Sequence, residues 1–482
     1  MNDRRFISRK LLITTAIVWL ALPLVIFLTT WIRPIIGWPM AVGVVWASAR
    51  TITGVKSPSD VIVYVDRRFL IMAVLVFLFT VFSGIGGLAY QDHWDHGFRN
   101  AVFNDLVYHP WPVTEIKEGK IELLCYYLAF WLPAAVVAKL SGSMLIGNMV
   151  QLLYAFIGFM MIAVFVFNII GVRKIKFWVL ILVALFCGWD IVTFFISSPD
   201  LVQTLSVKQI YLAIKDIPFW SMSAPALPAL SLLIYNQGIA SWVALGLLYD
   251  QRADIRRLLF LYSLLFLFAP IPAAGLLPAM TYWMCKHLKM AFSAENVVGG
   301  FVFLIIGLYF LANNRTDGLD AVYPTFGEYL WKISLFTFMS YVIYLPYIWK
   351  YVHKNAFFWI LFVTAIVVPY FTLNGRTDLG ARIGIPLTYC FMVLVIKSVL
   401  EMRQWPRYKA VALVVTLMIG MVSSSGMYCS NLVMNYRSYV GRTPFRQDWM
   451  PTTFDGEVCP LKENFVASGE SSFTKYLMKR ED

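Results

Sequence analysis

The chain has 482 residues, of which 60% are apolar, 16% aromatic and 14% charged, with a mean hydropathy of +0.69. Soluble globular chains run at about 45–50% apolar and about 25% charged. These figures therefore exclude a soluble enzyme, a disordered chain and a disulfide scaffold, and they leave a polytopic membrane protein. The net charge of +13 does not point to nucleic acid. Its basic residues sit at the ends of apolar runs, not interleaved with stacking aromatics on a polar face.

Arg4, Arg5, Arg9 and Lys10 precede an apolar run from Leu11 to Ile32. That run is long enough to span, lacks the small-residue cleavage site of a signal peptide, and its preceding cations put the N-terminus in the cytoplasm. Further apolar runs follow at about 34–50, 68–90, 145–170, 176–197, 236–250, 257–271, 273–290, 297–312, 329–349, 356–373, 382–400 and 408–428. Two weaker runs, 121–140 and 223–235, contain Pro and are not counted. If 121–140 crossed alone, Arg173, Lys174, Lys176 and every later basic cluster would move outside, against the charge rule. The expectation is an all-α polytopic membrane protein with about thirteen transmembrane helices. Residues 1–428 would form the membrane domain, and 429–482 an extracytoplasmic tail packed over the outer face. Cys429 and Cys459 lie in that polar stretch and could pair in an oxidising compartment; the other four cysteines read as small core residues.

The loop from Tyr90 to Lys120 is the most informative segment. Three of the five His and three Asp lie within residues 92–109. From Asp95 the apolar positions Phe98, Val102, Phe103, Leu106 and Val107 recur at helical spacing, which predicts a juxtamembrane amphipathic helix. Arg99 follows Asp95 by four, so the two share a face. Asp92, His93, Asp95 and His96 could hold a divalent metal such as Mg or Mn, although neighbouring positions point different ways on a helix. A second reading makes Asp95 a general base with Arg99 as anion partner. A third is a solvated interfacial loop, an expensive place for so many ionisable groups.

A Trp-Pro pair, Trp111-Pro112, follows Asp95, and a Tyr-rich segment with Tyr126 and Tyr127 precedes a long span ending in basic residues. This order over residues 68–200 resembles the GT-C superfamily of polytopic glycosyltransferases, with a weaker likeness at Tyr235-Asn236-Gln237. The resemblance implies transfer of a sugar from a polyprenyl-phosphate donor to a lipid or cell-envelope glycan acceptor, with inversion, at the outer face of a bacterial cytoplasmic membrane. It implies no required cofactor, and the position matching the superfamily's catalytic Asp is Asp95. Three departures are visible. His96 stands where a second acid is frequent, Gly119-Lys120-Ile121 replaces Lys-Pro-Pro, and two extra spans precede the loop.

Such chemistry needs a carboxylate to take the acceptor proton and cations to meet the leaving phosphate. Arg99, Lys117, Lys120, Arg376 and Arg382 are the candidate cations, and the two Lys read equally well as snorkelling side chains. Arg376, Asp378 and Arg382 cluster at a span entry, where an Arg facing lipid is costly. Asn236 and Gln237 could bond sugar hydroxyls or simply join helices. Asn100, Asp105 and Tyr126 complete the candidate substrate contacts, and the loop 197–223 is expected to fold over the cleft. Two other readings stay open. A lipid-linked polysaccharide polymerase or ligase would carry a larger late outer loop. A transporter or flippase would show internal repeats and mid-span charges, whereas most charges here sit at span ends.

Overall fold

Residues 5–117, 119–197, 227–252, 254–313, 326–370 and 378–480 are described in the structure, a computed structural model. It is mostly helical, with helices running between two ends of a bundle. At one end, strands β1 (Phe6–Ser8) and β2 (Val61–Tyr64) pair antiparallel, and the Tyr64 amide donates to the Arg173 carbonyl at 2.9 Å. Here Arg9 Nε reaches both oxygens of Asp250, at 3.2 and 3.1 Å, and Asn168 donates to the same carboxylate at 2.9 Å. Glu295 lies 3.7 Å from Arg50 and 3.8 Å from Arg257. Arg and Lys from widely separated segments thus collect at this basic end.

The opposite end carries a three-stranded antiparallel sheet. β3 (Thr114–Lys117) pairs with β4 (Lys120–Leu124), and β4 pairs with β5 (Val466–Ser468) from the far end of the chain. Isolated bridges Ile32↔Met478 and Asn313↔Ala467 tie the same tail to two helix ends. The strands are few and short, so the chain remains mostly helical as expected, and the tail covers the end where the Tyr90–Lys120 loop lies.

Between these ends run α1 (Arg9–Thr30), α2 (Pro34–Thr53), α3 (Arg67–Phe82) and, beyond the loop helix α4 (His93–Tyr108) and α5 (Leu132–Ser141), the long α6 (Met144–Ile170). Their starts are set by side-chain caps. Ser8, Asp66, Asp92 and Ser143 each accept from amides of the first turn, a contribution of about 1 kcal/mol apiece. The helix α5 has 10 residues, about 15 Å of rise, and cannot cross a hydrocarbon core of about 30 Å. It ends on Gly142 at φ +64°, and its Lys139 Nζ donates to the His109 carbonyl. The described residues of 109–143 therefore lie together at the sheet end.

Further along come α7 (Phe177–Leu185), α8 (Asp190–Ser197), α9 (Leu227–Leu232), α10 (Tyr235–Gln251), α11 (Ile255–Ser263), α12 (Pro270–Lys286), α13 (Ala294–Leu311), α14 (Phe326–Ser340), α15 (Leu345–Val352), α16 (Ala356–Val367), α17 (Asp378–Glu401) and α18 (Arg407–Gly441). Among the described residues, six helices are long and apolar enough to cross a membrane: α1, α2, α6, α13, α17 and α18. The other apolar segments are shorter or interrupted. The helix α18 extends 13 residues past 428, so Cys429 is an exposed helical residue, Cys459 is buried in the tail, and both are free thiols. The pairing that the sequence left open is not formed.

Two interruptions meet inside the bundle. The break between α7 and α8 spans Phe186–Trp189, and that between α14 and α15 spans Tyr341–Tyr344. The Trp189 amide donates to the Met339 carbonyl at 2.9 Å, and Tyr344 Oη donates to the Cys187 carbonyl at 2.8 Å. Backbone groups freed by one break are in this way satisfied by the other, as an apolar surrounding demands. The core mixes aliphatic side chains with stacked aromatics. Trp19 stacks on Tyr154 at 4.4 Å and on Phe268 at 5.2 Å, and Trp19 and Tyr154 exchange side-chain bonds to each other's carbonyls.

Candidate active site at the sheet end

Asp92 begins the site by capping α4: its Oδ1 accepts from the Trp94 and Asp95 amides at 3.1 and 3.3 Å. The apolar face expected for this helix is present. Phe98, Ala101, Val102, Phe103 and Leu106 are buried, and they pack within the protein, Phe103 against Gly147 of α6 and Phe98 on Phe465 of the tail. The N-terminal part of this same inward face carries Asp95 and Arg99, in line with Val102 and Leu106, with Arg99 Nη1 3.2 Å from Asp95 Oδ1. Arg99 is almost wholly buried, while Asp95 keeps 32% of its side chain exposed. The carboxylate is thus the reachable member of the pair.

Arg99 is held from its other side by α10. Its Nε donates to Asn236 Oδ1 at 3.5 Å, and its guanidinium carbon lies 5.4 Å from the centroid of the Tyr235 ring, a cation–π arrangement. Among the described residues, Asn236 Nδ2 and Gln237 Oε1 are buried without a hydrogen-bond partner. A second guanidinium comes from α17: Arg382 Nη1 donates to Tyr127 Oη at 3.5 Å. Tyr127 stacks on Tyr126 at 4.3 Å, and Tyr126 leans on Phe465 at 4.7 Å.

Burial raises the Asp95 carboxyl above its ordinary 3.8, Asp92 adds to the rise, and Arg99 and then Arg382 oppose it. Both guanidiniums also act on the Tyr126 phenol, which burial pushes up. Five residues read from the sequence, Asp95, Arg99, Tyr126, Asn236 and Arg382, therefore fall into one electrostatic neighbourhood. Its chemical capacity is that of a carboxylate more basic than usual, flanked by fixed cations that suit an anionic leaving group.

Other expected residues have different surroundings. His96 is buried, and its Nε2 donates to the Leu232 carbonyl at 2.9 Å. Burial, helped by Arg99, lowers its pKa to about 3, so the ring is neutral and its proton sits on the nitrogen facing that carbonyl. Among the described residues no three His, Cys, Asp or Glu gather as a metal cluster. Asp92 is engaged as a cap, and the His93 side chain lies outside the described residues. Asn100 Nδ2 donates to Gln91 Oε1 at 2.7 Å and to the Gln447 carbonyl at 2.8 Å. Asp105 accepts from Thr453, so Asn100 and Asp105 hold the tail. Lys117 and Lys120 face each other across the β3–β4 turn, exposed, and no described contact brings either to Asp95. Arg376, the side chain of Asp378 and most of the loop 197–223 lie outside the described residues.

Sequence reasoning missed three participants. Tyr127 carries the Arg382 contact, and Trp449 of the tail lies on the Gly97 backbone and stacks on Trp94 at 6.3 Å. The third is Asp190, between the broken helices, where its Oδ2 accepts from Cys187 Sγ at 2.9 Å and its Oδ1 from Ser340 Oγ at 3.5 Å. An acid inside an apolar run was the available signal for it. No family model, curated protein or solved structure matches this chain.

Proposed function

We propose that the protein is a membrane glycosyltransferase of GT-C type, moving a sugar from a polyprenyl-phosphate donor to a lipid or cell-envelope glycan. The observation that carries this reading is the Asp95–Arg99 pair, with a raised Asp95 pKa and Arg382 acting on the same carboxylate. In the reaction Asp95 accepts the acceptor hydroxyl proton, the acceptor oxygen bonds to the anomeric carbon, and the bond from that carbon to phosphate oxygen breaks. The leaving phosphate takes the electron pair and is met by Arg99 and Arg382. Attack opposite the leaving group inverts the anomeric centre.

The membrane arrangement that goes with this reading has thirteen crossings. The pairs α7–α8, α9–α10 and α14–α15 each count as one, α11 with residues 264–269 as another, and α4 and α5 as none. The basic end faces the cytoplasm of a bacterium by the positive-inside rule, and the sheet end and tail face outward. The test is transfer of radiolabelled sugar from a panel of polyprenyl-phosphate donors by purified protein, wild type against Asp95→Asn. Transfer by wild type and its loss in a folded Asp95→Asn protein is the expected result; transfer that survives the substitution removes Asp95 from the role.

A second reading, transport, has its own observation in Asp190. Interrupted helices that meet around an ionisable residue are a means of binding cargo within a membrane. Flux across proteoliposomes that is lost in Asp190→Asn, with no sugar transfer by wild type, would favour it. The transferase reading expects Asp190→Asn to keep transfer.

A further inference from the structure

At the basic end, away from Asp95, a cavity of about 340 Å³ opens among α6, α10, α12, α16 and α17. Its size is in the range of ligand pockets, about 300–1,000 Å³. Leu245, Leu248, Met280, Val393 and Leu394 form apolar wall, while Arg252 and Lys397 are the cations on its lining. A second cavity, of about 360 Å³, shares Trp283, Tyr351, Asn355 and Phe357 with the first and adds Lys286, Lys350, His353 and Lys354. The two adjoin, with those shared side chains as their common wall.

The charge balance at this mouth is one-sided. Lys350 pairs with Glu401. Among the described residues Arg252, Lys286, Lys354 and Lys397 pair with no carboxylate. Lys350 and Lys397 both lie over the Tyr351 ring, at 4.8 and 5.0 Å from its centroid, and Arg252 lies 4.0 Å from that of Tyr249. These aromatic platforms hold the cations at the cavity edge. Inside, Tyr389 is 3% exposed and lines the apolar cavity, and among the described residues its hydroxyl has no partner. A buried hydroxyl without a partner is unfavourable, and a ligand with a polar group in the cavity would relieve it.

We propose that the first cavity binds a lipid with an anionic phosphate headgroup, its chain among Leu245, Leu248 and Leu394 and its phosphate between Arg252 and Lys397, beside the basic mouth of the second. An apolar slot has no use for a nucleotide or free phosphate, and a purely neutral lipid leaves the cations unanswered. A zwitterionic headgroup brings its own cation into a site already rich in them. Basic pockets between helices at a cytoplasmic face are suited to anionic lipid headgroups for the same reason. The proposal does not depend on the transferase reading, because no residue of the Asp95 site takes part. Acyl phospholipids and isoprenoid phosphates share the required chemistry, so the experiment separates them.

The test is native mass spectrometry of the purified full-length protein with phosphatidylglycerol, undecaprenyl phosphate, phosphatidylcholine or inorganic phosphate added. The expected result is a retained molecule of one or both anionic lipids, with the better retained naming the source, and little phosphatidylcholine or inorganic phosphate. Arg252→Gln with Lys397→Gln should cut retention about tenfold or more, the scale of a lost charge-assisted contact. Leu394→Trp, which fills the cavity with every cation in place, should do the same, and Arg252→Lys should keep the lipid. Melting temperatures identify any variant that fails to fold. Equal retention of phosphatidylcholine overturns the proposal, as does anionic retention indifferent to both the charge and the cavity-filling variants.

Discussion

Thr453 donates twice to one oxygen of Asp105: its amide lies 2.8 Å and its hydroxyl 2.6 Å from Oδ2. Both residues are fully buried, and 348 positions of chain separate them. Thr453→Val keeps the volume and removes the hydroxyl donor. The expected cost is about 1–3 kcal/mol, read as a lower melting temperature and as faster cleavage of the tail in limited proteolysis.

Asp105 also makes the docked tail sensitive to pH. Burial raises its carboxyl above 3.8, and the bonds from Thr452 and Thr453 only partly offset this. The proton is therefore held more tightly in the folded protein than in the unfolded chain. Its contribution to stability is whole below about pH 3.8, falls as pH rises through the folded-state value, and is flat beyond it. Asp105→Asn, neutral throughout, should remove that slope from a melting-temperature-against-pH series.

The same reasoning gives the acid limb of any activity that uses Asp95 as a base. That limb should lie above pH 3.8, since burial and Asp92 raise the carboxyl. Arg99 lowers it, so in Arg99→Gln the limb should move to higher pH, together with a fall in rate of about 10²–10³ for a lost cation at a developing anion. Asp92→Asn, which still caps the helix, should move the limb to lower pH. A limb that ignores both substitutions belongs to another group.

Trp449 leaves no room at Gly97. A Cβ there would stand 2.3 Å from Trp449 Nε1 and 2.7 Å from Cε2, so Gly97→Ala must displace the ring and the tail segment with it. The expected outcome is a loss of about 1–3 kcal/mol and easier proteolysis near residue 449. Adding Trp449→Leu, a smaller side chain, should restore part of the loss; a double variant no better than the sum of its parts would deny the contact.

Gly420 of α18 meets the α7–α8 break in a similar way. A Cβ there would fall 2.5 Å from the Cys187 carbonyl oxygen and 2.8 Å from Tyr344 Oη. Backbone cannot yield cheaply, so Gly420→Ala should lower stability by several kcal/mol or prevent folding. Gly300 of α13 has nothing within 4 Å of its added Cβ, and Gly300→Ala should be neutral or stabilising by about 0.5–1 kcal/mol. Thermal unfolding of the two variants side by side checks the prediction.

What could be read in advance follows from range along the chain. The α4 helix was legible because Phe98, Val102, Phe103 and Leu106 repeat within one element, and the Asp95–Arg99 pair follows from four-residue spacing. The β4–β5 pairing and the Thr453 contact were not, because they join segments over 340 residues apart, and short strands leave little alternation to detect. Asp190 was lost in the average of an apolar run, and the α18 extension because its polar second half, Ser430 to Gly441, reads as loop by hydropathy. Arg382 and Tyr127 were each visible as residues, while their contact depends on how α17 leans toward the Tyr-rich segment, which only tertiary packing decides.

The late origin of β5 has a consequence for the ribosome. Residues 92–124 emerge early, yet the strand that completes their sheet and the threonine that pins Asp105 come some 340 residues afterwards. At about 5–20 residues per second, the acidic segment waits for tens of seconds with its packing partner unmade. Throughout that interval the nascent chain exposes an unpaired β4 edge and the apolar positions Phe98 and Leu123, so this is where an insertase or membrane chaperone has most to shield.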